Sequence, residues 1–130
     1  MNHKILFVND EPEALDCYSR MLRSFDIATA VSGEDALVLL RDQGPFAIVI
    51  SDMQMAGMDG VQFLKHVRHL APNTIRLMLT GHANLDGAIK AVNEAGIFRL
   101  LTKPCERSVF MHAITGRSPN TTSGEKSECG

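Results

Sequence analysis

The chain has 130 residues, of which 45% are hydrophobic and 22% are charged, and its 13 basic and 15 acidic side chains give a formal net charge of −2. This length is typical of one globular domain, and the apolar fraction is too high for a disordered chain. The balanced charge excludes nucleic-acid binding driven by bulk basic charge. Every apolar run ends within about six residues, far short of the roughly 18 that a membrane span needs. We therefore expect no direct nucleic-acid partner and no membrane segment.

Two features predict a cytoplasmic location. The N-terminal residues lack the long apolar core and the small-residue cleavage site of a signal peptide, since acidic residues begin at Asp10. The three cysteines, Cys17, Cys105 and Cys129, are odd in number and widely spaced, which argues against a disulfide framework. We therefore expect a reducing compartment, with Cys17 and Cys105 as packing residues.

Five short β-rich runs alternate along the chain with segments of helical spacing. In the third of these segments, Val61, Leu64 and Val67 fall on one face of a helix. Apolar runs such as ILFV and LML do not alternate with polar residues, which is typical of parallel strands covered on both faces. The alternation predicts a three-layer α/β domain with right-handed crossovers. The predicted strands cover 4–8, 26–30, 47–51, 75–79 and 97–101.

Residues 1–115 contain the whole of this pattern and are predicted to form the domain. Pro12 suits the first turn of the first helix, and Ser32 followed by Asp35 suits the start of the second. Residues 116–130 have no apolar periodicity, so we predict a flexible tail or a truncated linker there.

Polar side chains follow four of the five predicted strands. Ligands of an open parallel sheet bind outside the carboxyl ends of the strands, so these side chains are expected to converge. Two acids held close together repel each other unless a cation lies between them, and oxygen ligands suit Mg²⁺. A hydroxyl and a lysine suit the oxygens of a transferred phosphoryl group, so the set predicts a phosphoryl acceptor with Asp52 as nucleophile. The set comprises Asn9, Asp10, Glu11, Asp52, Thr80 and Lys103.

The segments FVNDEP, VISDMQMAGMDG, LMLTGHA and RLLTKP, in this order, resemble the receiver domain of two-component response regulators. The resemblance covers residue 4 to about residue 115. It implies a flavodoxin-like, doubly wound α/β fold with a five-stranded parallel sheet of order 2-1-3-4-5 and helices on both faces. It also implies that a sensor histidine kinase or a phosphotransfer protein phosphorylates Asp52, and that slow autodephosphorylation is the one further reaction of a domain that is otherwise not an enzyme.

The same resemblance assigns roles to single residues. Mg²⁺ or Mn²⁺ would be held by Asp10, Asp52 and the main-chain carbonyl of Gln54, while Thr80 and Lys103 would bind the phosphoryl group. Asn9 and Glu11 would contribute to the metal site indirectly. Phosphorylation would alter a switch surface and so regulate a downstream effector domain or protein, or form a homodimer. That surface comprises Lys90, Phe98, Leu100 and Pro104, the last following a cis peptide bond from Lys103.

Three departures from the family pattern modify these expectations. Asn9 stands where the family usually has an acid, so we predict weaker Mg²⁺ binding with the acceptor chemistry intact. Ala56 replaces the usual proline and slightly loosens the acceptor loop, which is the segment that follows Asp52. Leu100 occupies the aromatic switch position, so an aromatic side chain there cannot carry the signal, although Phe98 lies two residues away on the predicted strand.

Two other functions compete with this one. The first is a phosphorylation-impaired interaction module, in which Asn9 has abolished metal-dependent chemistry. The second is a phosphatase resembling the haloacid dehalogenases, which also use an aspartyl nucleophile. Those enzymes need a second acid two residues after the nucleophile, and Gln54 cannot transfer a proton at that position.

Overall fold

The computed structural model describes residues 4–81, 85–103 and 106–115. Over these residues strands and helices alternate as the sequence pattern predicts. The strands are β1 Lys4–Val8, β2 Asp26–Ala30, β3 Ile48–Asp52, β4 Ile75–Thr80 and β5 Arg99–Thr102. The helices are α1 Pro12–Met21, α2 Gly33–Gln43, α3 Gly60–Leu70, α4 Leu85–Ala95 and α5 Arg107–Thr115.

All strand pairs are parallel, and the strands lie in the order β2-β1-β3-β4-β5. This order confirms the predicted flavodoxin-like sheet. The register places Asp52 opposite Leu79 and Thr80 opposite Thr102, so the carboxyl ends of β3, β4 and β5 form one edge. Side chains 50 residues apart in sequence are thereby brought to the same edge.

Three strands end one residue later than the apolar runs predict, at Asp52, Thr80 and Thr102. Asp52 is the last residue of β3, and Thr80 is the last residue of β4. Both polar residues therefore belong to the hydrogen-bonded sheet rather than to a loop. β5 also begins later than predicted, at Arg99 instead of residue 97, so Phe98 precedes it.

The sheet separates two apolar clusters. The α1 and α5 side contains an aromatic group in which the ring centroids of Phe7 and Tyr18 are 5.1 Å apart and those of Tyr18 and Phe110 are 5.3 Å apart. Edge-to-face and stacked contacts of this kind stabilise a core beyond simple area burial. The side that carries α2, α3 and α4 combines large residues of α3 with alanines of α4.

Local signals fix several helix starts. Pro12 occupies the first turn of α1, and the Ser32 hydroxyl accepts the Asp35 N–H at 3.1 Å. α3 begins with a capping box in which the Asp59 carboxylate accepts the Gln62 N–H at 2.8 Å. These caps satisfy backbone donors that the first helical turn leaves open.

Cys17 corrects one expectation from the sequence. It is disulfide-bonded, whereas its spacing predicted a packing residue, and its partner lies outside the described residues. Wide spacing in sequence does not prevent pairing, because the fold can bring distant segments into contact.

The predicted cis bond before Pro104 lies outside the described residues, and the cis bond that is described joins Gly44 to Pro45. In the described part of the chain, no helix has both the length and the apolar character to cross a membrane.

Candidate functional site

Asp52 lies at the carboxyl end of β3 and is only 4% exposed. Its carboxylate Oδ1 lies 2.6 Å from Nζ of Lys103, which follows β5. The lysine side chain is 35% exposed, so its ammonium group faces both the carboxylate and solvent. The structure thus pairs a buried acid with a cation that remains accessible from outside.

Burial raises the pKa of the Asp52 carboxyl above its ordinary value. The hydrogen bond and the positive charge of Lys103 lower that pKa, as does the backbone N–H of Met53. The negative charge of Asp10 raises it again. The two carboxylates therefore interact, and a further positive charge near them would favour the ionised form of Asp52.

The backbone around Asp52 is held on several sides. The Ser51 hydroxyl donates to the Asp52 carbonyl oxygen at 2.9 Å, and the Met53 N–H donates to the Leu79 carbonyl at 2.9 Å. The Gly60 N–H donates to the Met53 carbonyl at 2.9 Å. A Cβ at Gly60 would overlap the Asp52 carbonyl oxygen, so only glycine permits the start of α3 to approach this closely.

The loop after β1 supplies two polar side chains that point in different directions. Asn9 is 1% exposed, and its side-chain oxygen accepts the Glu11 N–H at 2.9 Å. The Asp10 carboxylate accepts the Ala56 N–H at 2.9 Å, which ties this loop to the acceptor loop. Proline at position 56 would have no N–H to donate, so the departure at Ala56 supplies this bond.

Thr80 lies at the end of β4 and is 1% exposed. Its hydroxyl lies 3.3 Å from Sδ of Met53 and 3.3 Å from the carbonyl oxygen of Gly81. The Lys103 N–H donates to the Thr80 carbonyl at 2.9 Å, which continues the pairing of β4 with β5 beyond the strand ends.

A polar pocket of about 110 Å³ lies over these residues. Its lining includes two acids, an amide, a hydroxyl and an ammonium group within one small volume. The hydroxyl and the ammonium group suit an anion with several oxygens. The structure therefore brings together most of the polar residues that follow the strands. The pocket is lined by Glu11, Asp52, Met53, Gln54, Thr80, Gly81 and Lys103.

The oxygen-bearing residues of the site can be compared with the ligands that a divalent cation needs. Within the described ranges, no group of three His, Cys, Asp or Glu residues is arranged to hold a metal. Mg²⁺ needs no such group, because it typically takes one or two carboxylates and completes its shell with waters and phosphate oxygens. Asp10 and Asp52 supply two interacting carboxylates. Asp52 and Gln54 line the pocket, whereas Asp10 lies outside its lining. The residues present therefore fit Mg²⁺.

The predicted switch residues differ in their exposure. Lys90 is exposed on α4, and Phe98 is 63% exposed just before β5. Leu100 is half-buried and packs against the apolar cluster on the side of the sheet that carries α2, α3 and α4, which we call the α2–α4 cluster. Because β5 begins only at Arg99, strand alternation does not extend to Phe98 and does not place it beside Leu100. Pro104 lies outside the described residues.

Sequence reasoning assigned no contact at the site to three residues that the structure places around it. The sequence pattern places Ser51 at the end of a predicted strand and gives Met53 and Gly60 no role at the site. A polar residue inside an otherwise apolar run could have marked Ser51. The contacts of Met53 and Gly60 depend on how α3 and α4 approach the sheet, which local sequence does not encode.

Comparison with curated proteins agrees with this geometry. The family model described as response regulator receiver domain matches residues 5–115. The hydrogenase transcriptional regulatory protein HoxA of Cupriavidus necator is 37% identical over 101 residues, which cover 77% of this chain and 21% of that regulator. The chain thus spans about a fifth of the length of that relative.

Solved structures show the same architecture. The crystal structure of a response regulator receiver domain protein from Clostridium thermocellum superposes with a TM-score of 0.81 and 31% identity, covering 87% of this chain and 91% of that one. A structure described as adenylate cyclase from Rhodopirellula baltica gives a TM-score of 0.84 and 38% identity, covering 89% and 87% of the two chains. The chain therefore belongs to the response regulator receiver domain family.

Proposed function

We propose that this domain accepts a phosphoryl group on Asp52 from a phosphohistidine of a sensor histidine kinase or a phosphotransfer protein. The observation that carries the proposal is the buried Asp52 carboxylate, 2.6 Å from the Lys103 ammonium and beside the Thr80 hydroxyl in one small pocket. Family membership supports a regulatory role of this kind rather than a haloacid-dehalogenase-like phosphatase.

In the proposed reaction a carboxylate oxygen of Asp52 attacks phosphorus in line with the leaving imidazole. The phosphorus–nitrogen bond breaks, an acyl phosphate forms, and the imidazole leaves with a proton taken from solvent. The protein contributes positioning and electrostatics, because little covalent chemistry is left for its side chains. Lys103 shifts from the carboxylate to a phosphoryl oxygen, and Thr80 donates its hydroxyl to another. Later attack by water releases phosphate slowly.

Mg²⁺, or Mn²⁺, would be held by Asp10, Asp52 and the main-chain carbonyl of Gln54, and when bound it would neutralise charge on the transferred group. Asn9 adds no charge, and its side-chain oxygen already accepts the Glu11 N–H. We therefore expect weaker Mg²⁺ binding than an acid at that position would give. This engaged Asn9 side chain is also the observation that favours the second candidate, a phosphorylation-impaired interaction module.

The output is a change of partner on the α4–β5 surface, where Lys90 and Phe98 are exposed. An effector domain, an effector protein or a second copy of this chain would bind there in the cytoplasm. The added negative charge of the phosphoryl group biases an equilibrium between conformations that already exist.

Intact mass spectrometry after incubation with acetyl phosphate and Mg²⁺ tests the proposal. The expected result is a mass gain of one phosphoryl group in the wild-type protein and none in Asp52→Asn. Labelling of Asp52→Asn would show that another residue is the acceptor.

Asn9→Asp distinguishes the second candidate. If the wild-type site is active, this substitution increases the affinity for Mg²⁺ and the rate of labelling. If only the Asn9→Asp protein is labelled, the wild-type chain is the interaction module.

A further inference from the structure

The Thr80 hydroxyl has two long hydrogen-bond contacts in this structure, neither of them to a charged group. One is the thioether sulfur of Met53 at 3.3 Å, and the other is the carbonyl of the next residue, Gly81, at 3.3 Å. A hydroxyl has one hydrogen to donate, and a thioether is a weak acceptor. A phosphoryl oxygen carries charge and accepts a stronger hydrogen bond. The Thr80–Met53 contact can therefore be exchanged for a contact with a phosphoryl group.

The same methionine also touches the helix that follows β4. The terminal methyl carbon of Met53 lies 3.4 Å from the position that a Cβ at Gly87 would occupy. Gly87 lies in the first half of α4, next to the buried Ala88. Met53 thus spans the distance between the end of β4 and α4, and its flexible side chain can repack without large cost.

At the switch position, this chain has no aromatic side chain that could link Thr80 to α4. Leu100 stands at the switch position and already packs against the α2–α4 cluster. Phe98 points to solvent at 63% exposure and precedes the strand. Met53 contacts Thr80 and also approaches Gly87 of α4, so a contiguous path runs through its side chain.

We propose that Met53 is a positioning residue that couples phosphorylation of Asp52 to α4. In the unphosphorylated domain its sulfur retains the Thr80 hydroxyl, while its methyl group packs against Gly87. When Thr80 turns to the phosphoryl group, the sulfur loses its donor and the Met53 side chain repacks. The first half of α4 then loses a contact and shifts. This inference rests on the proposed function, since Asp52 must accept the phosphoryl group.

Two substitutions at Met53 should act in opposite directions. Met53→Leu keeps an apolar side chain and removes the sulfur, so Thr80 is released and the phosphorylated conformation becomes more favourable. Met53→Gln has a similar length and a stronger acceptor, so it retains Thr80. Met55→Leu is the matched control, because Met55 is a buried methionine of the same loop and the same cluster.

The first measurement is the affinity for beryllium trifluoride, a phosphoryl mimic, in the presence of Mg²⁺. We expect Met53→Leu to bind about two- to fivefold more tightly than wild type and Met53→Gln about two- to fivefold more weakly, the range that one weak hydrogen bond allows. The second is hydrogen exchange of α4. Exchange in its first half should rise on binding in wild type and should already be raised in unliganded Met53→Leu.

The outcomes separate the two proposals. Opposite shifts in the two Met53 variants, with no shift in Met55→Leu, support the coupling role. If both Met53 variants change in the same direction, or no more than Met55→Leu does, the coupling role is overturned while phosphorylation of wild-type Asp52 still stands. If wild type gains no phosphoryl mass from acetyl phosphate, the proposed function fails, and the coupling role fails with it.

Discussion

Helices α3 and α4 lie against the same face of the sheet and contact each other, but they are attached to it differently. α3 buries Phe63, Leu64 and Val67, whereas the buried residues of α4 are alanines. Burial of a large apolar side chain contributes about 1.5–3 kcal/mol, and a single methyl group contributes roughly 0.8 kcal/mol. The difference shows that α4 can shift at much lower cost than α3.

The two ends of α4 differ as well. At its C-terminal end, the Arg68 guanidinium donates to the Glu94 carbonyl at 3.2 Å, and Arg76 donates to the carbonyls of Ala95 and Gly96 at 3.2 and 3.1 Å. Lys65 of α3 also pairs with the Glu94 carboxylate at 3.2 Å. The first half of the helix instead meets the flexible Met53. A movement of α4 would therefore pivot near its C-terminal end.

The largest expected effect comes from the anchors of α3. Phe63→Ala should reduce the free energy of unfolding by about 3–5 kcal/mol, because it leaves a cavity in a closely packed cluster. Ala91→Gly in α4 should cost about 1 kcal/mol, mainly through helix propensity. Urea unfolding followed by circular dichroism measures both. Equal losses in the two variants would remove the contrast between the helices.

The close approach of α3 to Asp52 can be tested at its first residue. Gly60→Ala should reduce stability by about 1–3 kcal/mol, the range for overpacking, because the added methyl overlaps the Asp52 carbonyl oxygen. It should also slow labelling of Asp52, since the acceptor backbone must move. In Gly81→Ala the added methyl meets no atom of the described residues within 4 Å, so unfolding should change little. An unaltered Gly60→Ala protein would contradict the close approach.

The clamp on the C-terminal end of α4 predicts a smaller effect. Arg76→Met should cost about 1–2 kcal/mol, because it removes charged donors from several carbonyls. Hydrogen exchange should increase in the last turn of α4 more than in its first turn. Arg20→Met is a suitable comparison, since Arg20 forms an exposed ion pair with Asp16 on α1. Uniform exchange along α4 in Arg76→Met would argue against a pivot at this end.

The smallest expected effect is the contribution of Asp52, the proposed phosphoryl acceptor, to the pH dependence of stability. Burial raises the pKa of Asp52 above its unfolded value, so folding favours the protonated carboxyl. The corresponding stability is present below the unfolded pKa and is lost as pH rises through the folded pKa. Asp52→Asn should therefore match wild type in acid and exceed it by on the order of 1 kcal/mol at neutral pH. Lys103 would remain hydrated, since its side chain is 35% exposed.

Urea unfolding of both proteins from about pH 3.5 to about pH 7.5 measures this difference in the free energy of unfolding. The series starts near the ordinary pKa of an aspartate and ends near neutral pH. Asp42→Asn serves as control, because Asp42 is 54% exposed and pairs with Arg41 at the surface. Its substitution should alter stability little at any pH in this range. An Asp52→Asn variant that is less stable than wild type at neutral pH would show that the Lys103 pair outweighs burial.

Much of the fold follows from local sequence. Apolar runs and helical spacing located all five strands to within two residues at each end, and Pro12 and Ser32 marked two helix starts. The polar residues after the runs indicated which edge of the sheet carries the site. The ends of β3, β4 and β5 were predicted one residue short, because polar Asp52, Thr80 and Thr102 end the apolar runs while their backbones still pair with neighbouring strands.

The sequence by itself determined the order of strands and helices and the presence of an acid, a hydroxyl and a lysine at strand ends, since periodicity and chain order are local properties. Only the tertiary structure decided that Asn9 is buried, that Asp10 accepts from Ala56, and that Met53 lies between Thr80 and α4. The last two contacts join segments distant in sequence. Their geometry depends on how helices and loops pack against the sheet, which no local pattern specifies.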